Sequence, residues 1–123
     1  MDVRLVNLNT ESPYRISDYG EPVFVAFYEP DCESCAQQRE ELVAMDDTAC
    51  VLVNTDRSQT RQEALSVDVG APVSIANTEM VAALEKTRIS GNQLVLVCDE
   101  AYEVLSGDVL MASQLESMAA DCQ

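Results

Sequence analysis

The chain has 123 residues, of which 47% are apolar, and its formal net charge is −15 because 22 acidic residues outnumber 7 basic ones. A chain of this length and apolar content is expected to fold as a single domain spanning residues 1–123. Nothing offsets phosphate repulsion, so the charge excludes nucleic acid and anionic membrane surfaces as expected partners. The sequence contains no histidine, which removes imidazole catalysis and imidazole metal ligands.

The sequence as given contains no signal for export or for membrane insertion. Residues 1–4 lack a basic region followed by an apolar one, so no signal peptide is predicted. The apolar runs are much shorter than the roughly 20 residues that a membrane span needs. We therefore expect a cytoplasmic protein, with a mature exported domain as the alternative. The charge opposes close self-association at low salt, which favours a monomer or a weak dimer.

In chain order, residues 3–8 predict a strand near a sheet edge, and residues 16–19 predict a short helical turn in a segment rich in turn-forming residues. Residues 23–28 are apolar at every position, which is typical of a central strand covered on both faces. Residues 34–45 have helix-forming composition, and Asp31 is predicted to be the N-cap of that helix.

The rest of the chain predicts a second buried strand, two capped helices, a hairpin and a closing helix. In order, these are residues 50–54, 57–65 after Asp56, 77–87 after Asn77 or Thr78, 93–98 with 101–105, and 111–121. Because a helix separates the two buried strands, we expect them to be parallel. The predicted fold class is α/β: a central mixed sheet of four or five strands, helices on both faces, a closing ββα segment, and an extra helix around residues 77–87.

Two cysteines separated by two residues, Cys32 and Cys35, follow the central strand and open the predicted helix. The start of a helix offers unpaired N–H groups and the positive end of the dipole, which favour a thiolate on the first cysteine. The second cysteine lies one turn along, close enough to attack a mixed disulfide. This arrangement predicts a redox pair, with Cys32 as nucleophile and Cys35 as resolving thiol. The alternative is two buried cysteines that lie three residues apart by chance.

Five neighbouring residues are expected to shape this site: Tyr28, Pro30, Asp31, Glu33 and Ser34. Tyr28 is expected either to form a wall of the site or to serve as a core aromatic at the end of the strand. Pro30 is expected to shape the turn into the helix. The negative charges of Asp31 and Glu33 disfavour a thiolate, so we expect Cys32 to be a weakly activated nucleophile and the pair to be comparatively reducing.

The other three cysteines are scattered along the chain. Cys50 and Cys98 lie in apolar strand contexts, which favour core filling over function. For Cys122, near the C-terminus, a position on a helix face and an exposed thiol that links two chains both remain open. Zinc needs four ligands, and the chain has neither a second CxxC nor a histidine; a two-thiolate copper(I) site is the remaining metal alternative. We therefore expect no metal site, and no cofactor beyond a redox-active disulfide.

Residues 23–42 and residues 89–118 resemble the thioredoxin family. The first segment is similar to the family's strand, CxxC and helix, and the second to its closing ββα, with Gly107 and Gln114–Leu115 where the family has similar residues. The resemblance covers nearly the whole chain; it is specific at the CxxC and topological elsewhere. It implies a thioredoxin-like fold and a thiol–disulfide oxidoreductase, whose partners would be protein disulfide substrates and a reductase or other thiol donor.

The chain departs from the thioredoxin pattern at three places. Thioredoxins carry Trp-Cys-Gly-Pro-Cys, a buried Asp that assists proton transfer, and a cis-Pro that contacts the substrate. The corresponding residues here are Asp31-Cys32-Glu33-Ser34-Cys35, Ala26, and Gly91-Asn92-Gln93. These departures support a second function class, a protein-binding or assembly module whose CxxC is structural or vestigial.

Pro72 is a second candidate for the substrate-contacting proline, beside the segment that contains Gly91 and Asn92. Placing it there would make residues 73–76 the strand and residues 80–87 an insertion. We prefer a position for Pro72 in a loop or at the start of a helix.

Overall fold

The computed structural model describes residues 4–19, 22–29, 32–45, 48–55, 73–89, 93–98, 101–105 and 109–122. Within these residues, the chain forms seven strands, one 3₁₀ helix and three α-helices. The strands are β1 Arg4–Asn7, β2 Ser12–Arg15, β3 Val23–Tyr28, β4 Ala49–Asn54, β5 Val73–Ile75, β6 Leu94–Cys98 and β7 Ala101–Leu105. The helices are the 3₁₀ helix Ile16–Tyr19, α1 Glu33–Val43, α2 Thr78–Thr87 and α3 Ala112–Asp121.

The main sheet has five strands in the order β5-β4-β3-β6-β7. β3 is parallel to β4, which is parallel to β5, whereas β6 is antiparallel to both β3 and β7. Val25 at the centre of β3 lies between Val51 of β4 and Val95 of β6. The predicted mixed sheet, its parallel βαβ unit and its closing hairpin are therefore confirmed, with five strands.

β3 is the centre of the hydrophobic core because its six residues are all buried. Side chains alternate across a strand, so Val23, Val25 and Phe27 enter one core cluster while its other residues enter a second. The first cluster also takes side chains from the N-terminal hairpin, the 3₁₀ helix and α2. The second takes side chains from α1 and α3, including Leu42 and Leu115. Helices therefore cover both faces of the sheet, as the sequence predicts.

The N-terminal segment forms a hairpin outside the main sheet. β1 and β2 pair in antiparallel register as a separate two-stranded sheet. The sequence analysis predicts β1 but not β2. β2 has only one buried residue, Tyr14, and it contains Pro13, so it lacks the apolar pattern of a strand. Proline is found mainly in edge strands, which have no further partner to bond. The predicted helical turn at Ile16–Tyr19 is present.

The strand β5 directly follows Pro72, which we preferred to place in a loop or at the start of a helix without a strand after it. Val73–Ile75 pairs in parallel with β4, as in the alternative that makes residues 73–76 a strand. β5 lies at the edge of the sheet, however, while the strand antiparallel to β3 is β6, which follows the predicted segment around Gly91 and Asn92. Pro72, Gly91 and Asn92 themselves lie outside the described residues.

The two capped helices had different outcomes. Asn77 is the N-cap of α2 as predicted, and its Oδ1 accepts a hydrogen bond of 2.8 Å from Met80 N–H. For α1 the prediction of Asp31 was wrong, because the N-cap is Cys32. The helix predicted at residues 57–65 lies outside the described residues. Among the helices that are described, none has the length and apolarity needed to cross a membrane.

Candidate functional site

The CxxC lies where the chain leaves the central strand and enters α1. Thr55 N–H and Thr55 Oγ1 both donate to the carbonyl of Tyr28, at 2.9 and 3.1 Å, and so fix the end of β3 against β4. The carbonyl of Glu29 then accepts a hydrogen bond of 3.1 Å from Cys32 N–H. These contacts hold the turn that carries Cys32 at the carboxyl edge of two parallel strands.

Cys32 acts as the helix cap through its own sulfur. Its backbone is extended, with φ −87° and ψ 106°, and its Sγ accepts a hydrogen bond of 3.1 Å from Cys35 N–H. The hydroxyl of Ser34 lies 3.4 Å from the same sulfur. Free N–H groups and the helix dipole put partial positive charge at this end of α1, so the surroundings favour negative charge on Cys32 Sγ.

Cys32 and Cys35 form a disulfide. Their Cα atoms are 5.2 Å apart, within the range that a disulfide requires. Cys32 and Cys35 are both half-buried, whereas Glu33 and Ser34 between them are exposed. The pair can therefore be reached from solvent, and Cys35 is one helical turn from Cys32, where it can displace a thiol bound to Cys32.

Tyr28 is a buried aromatic residue at the end of β3, next to α1. Its side chain is 3% exposed, and Arg39 of α1 places its guanidinium carbon 5.7 Å from the centre of the ring. Burial raises the pKa of Tyr28, and the positive charge of Arg39 opposes that rise. Among the described residues the Tyr28 hydroxyl has no hydrogen-bond partner. Tyr28 is thus the predicted core aromatic at the end of the strand, and its role as a wall of the site stays a prediction.

The strand beneath the CxxC lacks the carboxylate that thioredoxins carry. Ala26 is 8% exposed and lies between Leu52 of β4 and Leu94 of β6 in the sheet. All three belong to the core cluster under α1 and α3. An ionised side chain at this position would be buried among apolar groups at a high cost, so the site as built offers no proton acceptor from the centre of β3.

The segment that precedes β6 reaches the same edge of the sheet. Gln93 O accepts a hydrogen bond of 3.0 Å from Phe27 N–H, near the end of the strand that leads to the CxxC. Gln93 therefore lies at the edge of the sheet where the chain leaves β3 toward the redox pair. This is where the thioredoxin resemblance places its substrate-contacting loop, although Gly91 and Asn92 are not among the described residues.

The structure brings together five of the predicted site residues: Tyr28, Cys32, Glu33, Ser34 and Cys35. Pro30, Asp31, Pro72, Gly91 and Asn92 lie outside the described residues. The sequence analysis did not predict Arg39 as a neighbour of the site. Its signal was its position on α1, one turn beyond Cys35, on a helix that covers the tyrosine at the end of β3.

Outside the CxxC, the remaining cysteines divide into one thiol and one pair. Cys50 is a free, half-buried thiol on β4, and burial raises its pKa, which disfavours the reactive thiolate. Cys98 packs against the core cluster as expected, and it is also paired with Cys122 in a second disulfide, which the sequence analysis did not predict. Within the described part of the chain, no group of three or more cysteine or carboxylate side chains is arranged to hold a metal ion.

Comparison with known proteins found relatives through structure and not through sequence. No protein-family model matches the chain, and no curated protein matches it. Solved structures do match. One is the exposed lipoprotein thioredoxin Etrx1 of Streptococcus pneumoniae, with a TM-score of 0.73 at 17% identity over 98% of this chain and 99% of that chain.

Two further structures align over nearly the whole chain. A thiol:disulfide interchange protein from Bacteroides sp. gives a TM-score of 0.73 at 21% identity, over 98% of this chain and 87% of that chain. A secreted disulfide oxidoreductase of Mycobacterium tuberculosis gives 0.68 at 13% identity, over 98% and 96%. At such identities the likeness concerns the fold. The strand order, the CxxC at the start of α1 and these alignments agree: the chain has a thioredoxin-like fold.

Proposed function

We propose that the protein is a thiol–disulfide oxidoreductase that works through Cys32 and Cys35. The observation that carries the proposal is the position of Cys32 Sγ at the N-cap of α1, where it accepts the Cys35 N–H at 3.1 Å. A thiolate at this position would be stabilised by the hydrogen bond and by the helix dipole. The names of the structural neighbours support the same reaction class.

The reaction conserves atoms and electrons in two exchanges. The Cys32 thiolate attacks one sulfur of a protein disulfide, forms a mixed disulfide and releases the other sulfur as a thiolate. Cys35 then attacks Cys32 Sγ, closes the Cys32–Cys35 disulfide seen in the structure and releases the second substrate thiol. The substrate gains two electrons and two protons. A reductase or another thiol donor returns the pair to the dithiol form, and the opposite direction runs through the same intermediates.

A trapping experiment tests this function. Cys35→Ser protein, incubated with a disulfide-bonded substrate such as insulin, should accumulate a mixed disulfide through Cys32, because the resolving thiol is gone. Cys32→Ser protein should trap nothing, and Cys50→Ser should behave like the wild type because burial disfavours the thiolate of the half-buried Cys50. If Cys35→Ser and Cys32→Ser trap the substrate equally, the assignment of Cys32 as nucleophile is overturned.

The second candidate is a protein-binding module whose CxxC is structural. It is favoured by Ala26, which leaves the buried strand beneath the pair without a group to accept a proton. The two candidates differ in a redox titration of the Cys32–Cys35 pair against thiol–disulfide buffers. An oxidoreductase should show a two-electron transition between roughly −270 and −120 mV. A pair that never oxidises, or one that resists reduction throughout that range, would favour the binding module.

A further inference from the structure

Cys98 and Cys122 lie on elements that only the folded chain brings together. Cys98 ends β6 and Cys122 is the C-cap of α3, and their Cα atoms are 5.9 Å apart. That separation is within the usual range for disulfides. Cys98 and Cys122 are both half-buried, and Cys98 is packed against the core cluster that α3 covers. The closing ββα segment is therefore closed into a covalent ring.

The free thiol of Cys50 is the only other candidate partner for Cys98, and the register of the sheet excludes it. Cys50 on β4 pairs with Phe24 on β3, and Phe24 pairs with Leu96 on β6. Cys98 is two residues beyond Leu96, so it is two strands and two residues away from Cys50. At about 4.8 Å per strand and 3.3 Å per residue, this separates their Cα atoms by more than about 10 Å. A disulfide cannot span that distance.

The second pair is also remote from the CxxC. β6 runs antiparallel to β3, and Val97 pairs with Val23 at the start of β3, whereas the CxxC follows the end of that strand. Six strand residues at about 3.3 Å each place Cys98 more than about 15 Å from Cys32. Thiol–disulfide exchange needs contact between the reacting sulfurs, so the two pairs cannot exchange within one folded molecule.

α3 is a short helix whose C-terminal end is bonded to β6 through Cys122. It has 10 residues, shorter than isolated helices that are stable in water, and it buries only Leu115 and Ala119. Its last turn contains Asp121 and no basic residue, although the negative end of the helix dipole favours positive charge there. Ala119 and the partly buried Met118 pack this end against the core, and the bond through Cys122 adds a covalent tie to it.

We propose that Cys98–Cys122 is a second, structural disulfide that anchors the closing helix and does not take part in the exchange reaction of Cys32 and Cys35. It forms when the two thiols reduce an external disulfide: two electrons and two protons pass to that oxidant, which leaves as two thiols. Oxidised glutathione or a protein disulfide donor supplies this chemistry. Such a bond persists in oxidising compartments, so the pair favours the exported alternative over the cytoplasmic expectation.

The distribution of basic residues gives a direct test on the wild-type chain. Trypsin cuts after Arg and Lys, and no Arg or Lys follows Arg88, so Cys98 and Cys122 remain together in the peptide 89–123. Cys32 and Cys35 fall in the peptide 16–39, and Cys50 falls in the peptide 40–57. Alkylation of the unfolded chain before digestion, followed by mass measurement, therefore reports the state of each group of cysteines separately.

The protein is first equilibrated in glutathione buffers of increasing reducing strength. Some of these buffers will already reduce the cysteines of peptide 16–39, which are then alkylated. In the same buffers, the peptide 89–123 should stay unalkylated and have a mass two hydrogens below that of its dithiol form. The ratio of reduced to oxidised glutathione at which half of peptide 89–123 is reduced should be at least roughly tenfold higher than the ratio for peptide 16–39. Two alkyl groups on 89–123 in oxidising buffer would overturn the disulfide. A shared midpoint with 16–39 would overturn the separate structural role.

Thermal unfolding tests the anchoring role. Cys122→Ser should lower the Tm by about 10 °C. The disulfide closes a loop between residues that are 24 apart in sequence, and opening that loop raises the conformational entropy of the unfolded chain. Cys50→Ser is the matched control, because Cys50 is a half-buried cysteine without a bond. Hydrogen exchange of α3 in reduced wild-type protein gives the same test without a mutation, and should be faster than in the oxidised protein. Equal exchange in both forms would overturn the anchor. These results do not depend on the activity of Cys32.

Discussion

Gln38 and Leu110 exchange two hydrogen bonds that join the CxxC helix to the start of the closing helix. Gln38 Nε2 donates to Leu110 O at 3.0 Å, and Leu110 N–H donates to Gln38 Oε1 at 2.8 Å. Glu41, one turn further along α1, accepts a hydrogen bond of 3.0 Å from Ala112 N–H. Side chains on one side of α1 therefore form hydrogen bonds with the backbone groups where α3 begins. The N-cap residue Met111 makes no side-chain capping hydrogen bond there.

We predict that Gln38→Ala destabilises the protein by about 1–3 kcal/mol, because it leaves a half-buried N–H and a half-buried C=O of Leu110 without their partner. Urea unfolding measures the change. Gln37→Ala is the control: Gln37 is the neighbouring residue, exposed, and its loss should change stability by less than about 0.5 kcal/mol. Equal effects of the two substitutions would show that the paired hydrogen bonds with Leu110 do not support the fold.

The sequence predicts the strand, CxxC and helix at residues 23–43 well because their signals are local. β3 is apolar at all six positions, and the two cysteines come directly after it at motif spacing. The N-cap prediction failed because Asp31 is the better cap by residue type, whereas the fold places Cys32 Sγ on the Cys35 N–H. The disulfide itself fixes the position of that sulfur.

Other features could not be predicted from local signals because they depend on tertiary pairing. β5 has three residues and exists through its register with β4, and β2 has one buried side chain. The Cys98–Cys122 bond joins residues 24 apart in sequence. The topology of a ββα segment does indicate that Cys98 and Cys122 can meet, because the end of its first strand and the end of its helix return to the same edge of the sheet.

Tyr14 and Ser74 tie the N-terminal hairpin to the edge strand β5 through a buried hydrogen bond of 2.6 Å between their hydroxyl groups. We predict that Tyr14→Phe and Ser74→Ala each cost about 1–3 kcal/mol, because each leaves the other hydroxyl buried without its partner. The double variant should be less destabilised than the sum of the two single variants, because it leaves neither hydroxyl behind. Chemical unfolding of all four proteins gives this coupling energy, and additive losses would contradict the interaction.

The same tyrosine predicts a loss of stability in alkali. Burial raises the pKa of Tyr14 to about 12 from 10.0, although the Ser74 hydrogen bond opposes the rise. The unfolded chain therefore ionises first, so the stability contribution is complete below about pH 10 and falls between pH 10 and 12. The slope from one such group is at most about 1.4 kcal/mol per pH unit.

Unfolding measured across that pH range should show a smaller slope in Tyr14→Phe than in the wild type. Part of the slope should remain, because burial also raises the pKa of Tyr28. Tyr102→Phe serves as the control, since it removes a tyrosine that is 40% exposed on β7. A slope that is the same in Tyr14→Phe and Tyr102→Phe would contradict the assignment to Tyr14.

Asn77 connects α2 to the N-terminal hairpin as well as capping the helix. Its Oδ1 accepts from Met80 N–H at 2.8 Å, and its Nδ2 donates to Arg4 O at 2.7 Å. We predict a loss of about 1–2 kcal/mol for Asn77→Ala. Asn77→Asp retains the capping oxygen and loses the donor to Arg4, so its loss should be smaller. Thermal or urea unfolding compares them, and equal losses would show that the cap contributes nothing beyond the contact with β1.

Glu33 lies in the first turn of α1 directly after Cys32, and its exposed carboxylate opposes the helix dipole's stabilisation of a Cys32 thiolate. We predict that Glu33→Gln increases the thiolate fraction of reduced Cys32 at neutral pH, so that its alkylation becomes about twofold faster at low ionic strength. The gain should shrink in high salt, because an exposed charge is screened. Glu40→Gln is the matched control, being an exposed Glu on the same helix about two turns further from the sulfur. Alkylation of Cys32 at the same rate in both variants, at both salt concentrations, would mean that the hydrogen bond from Cys35 N–H and the helix dipole govern this thiol without the neighbouring charge.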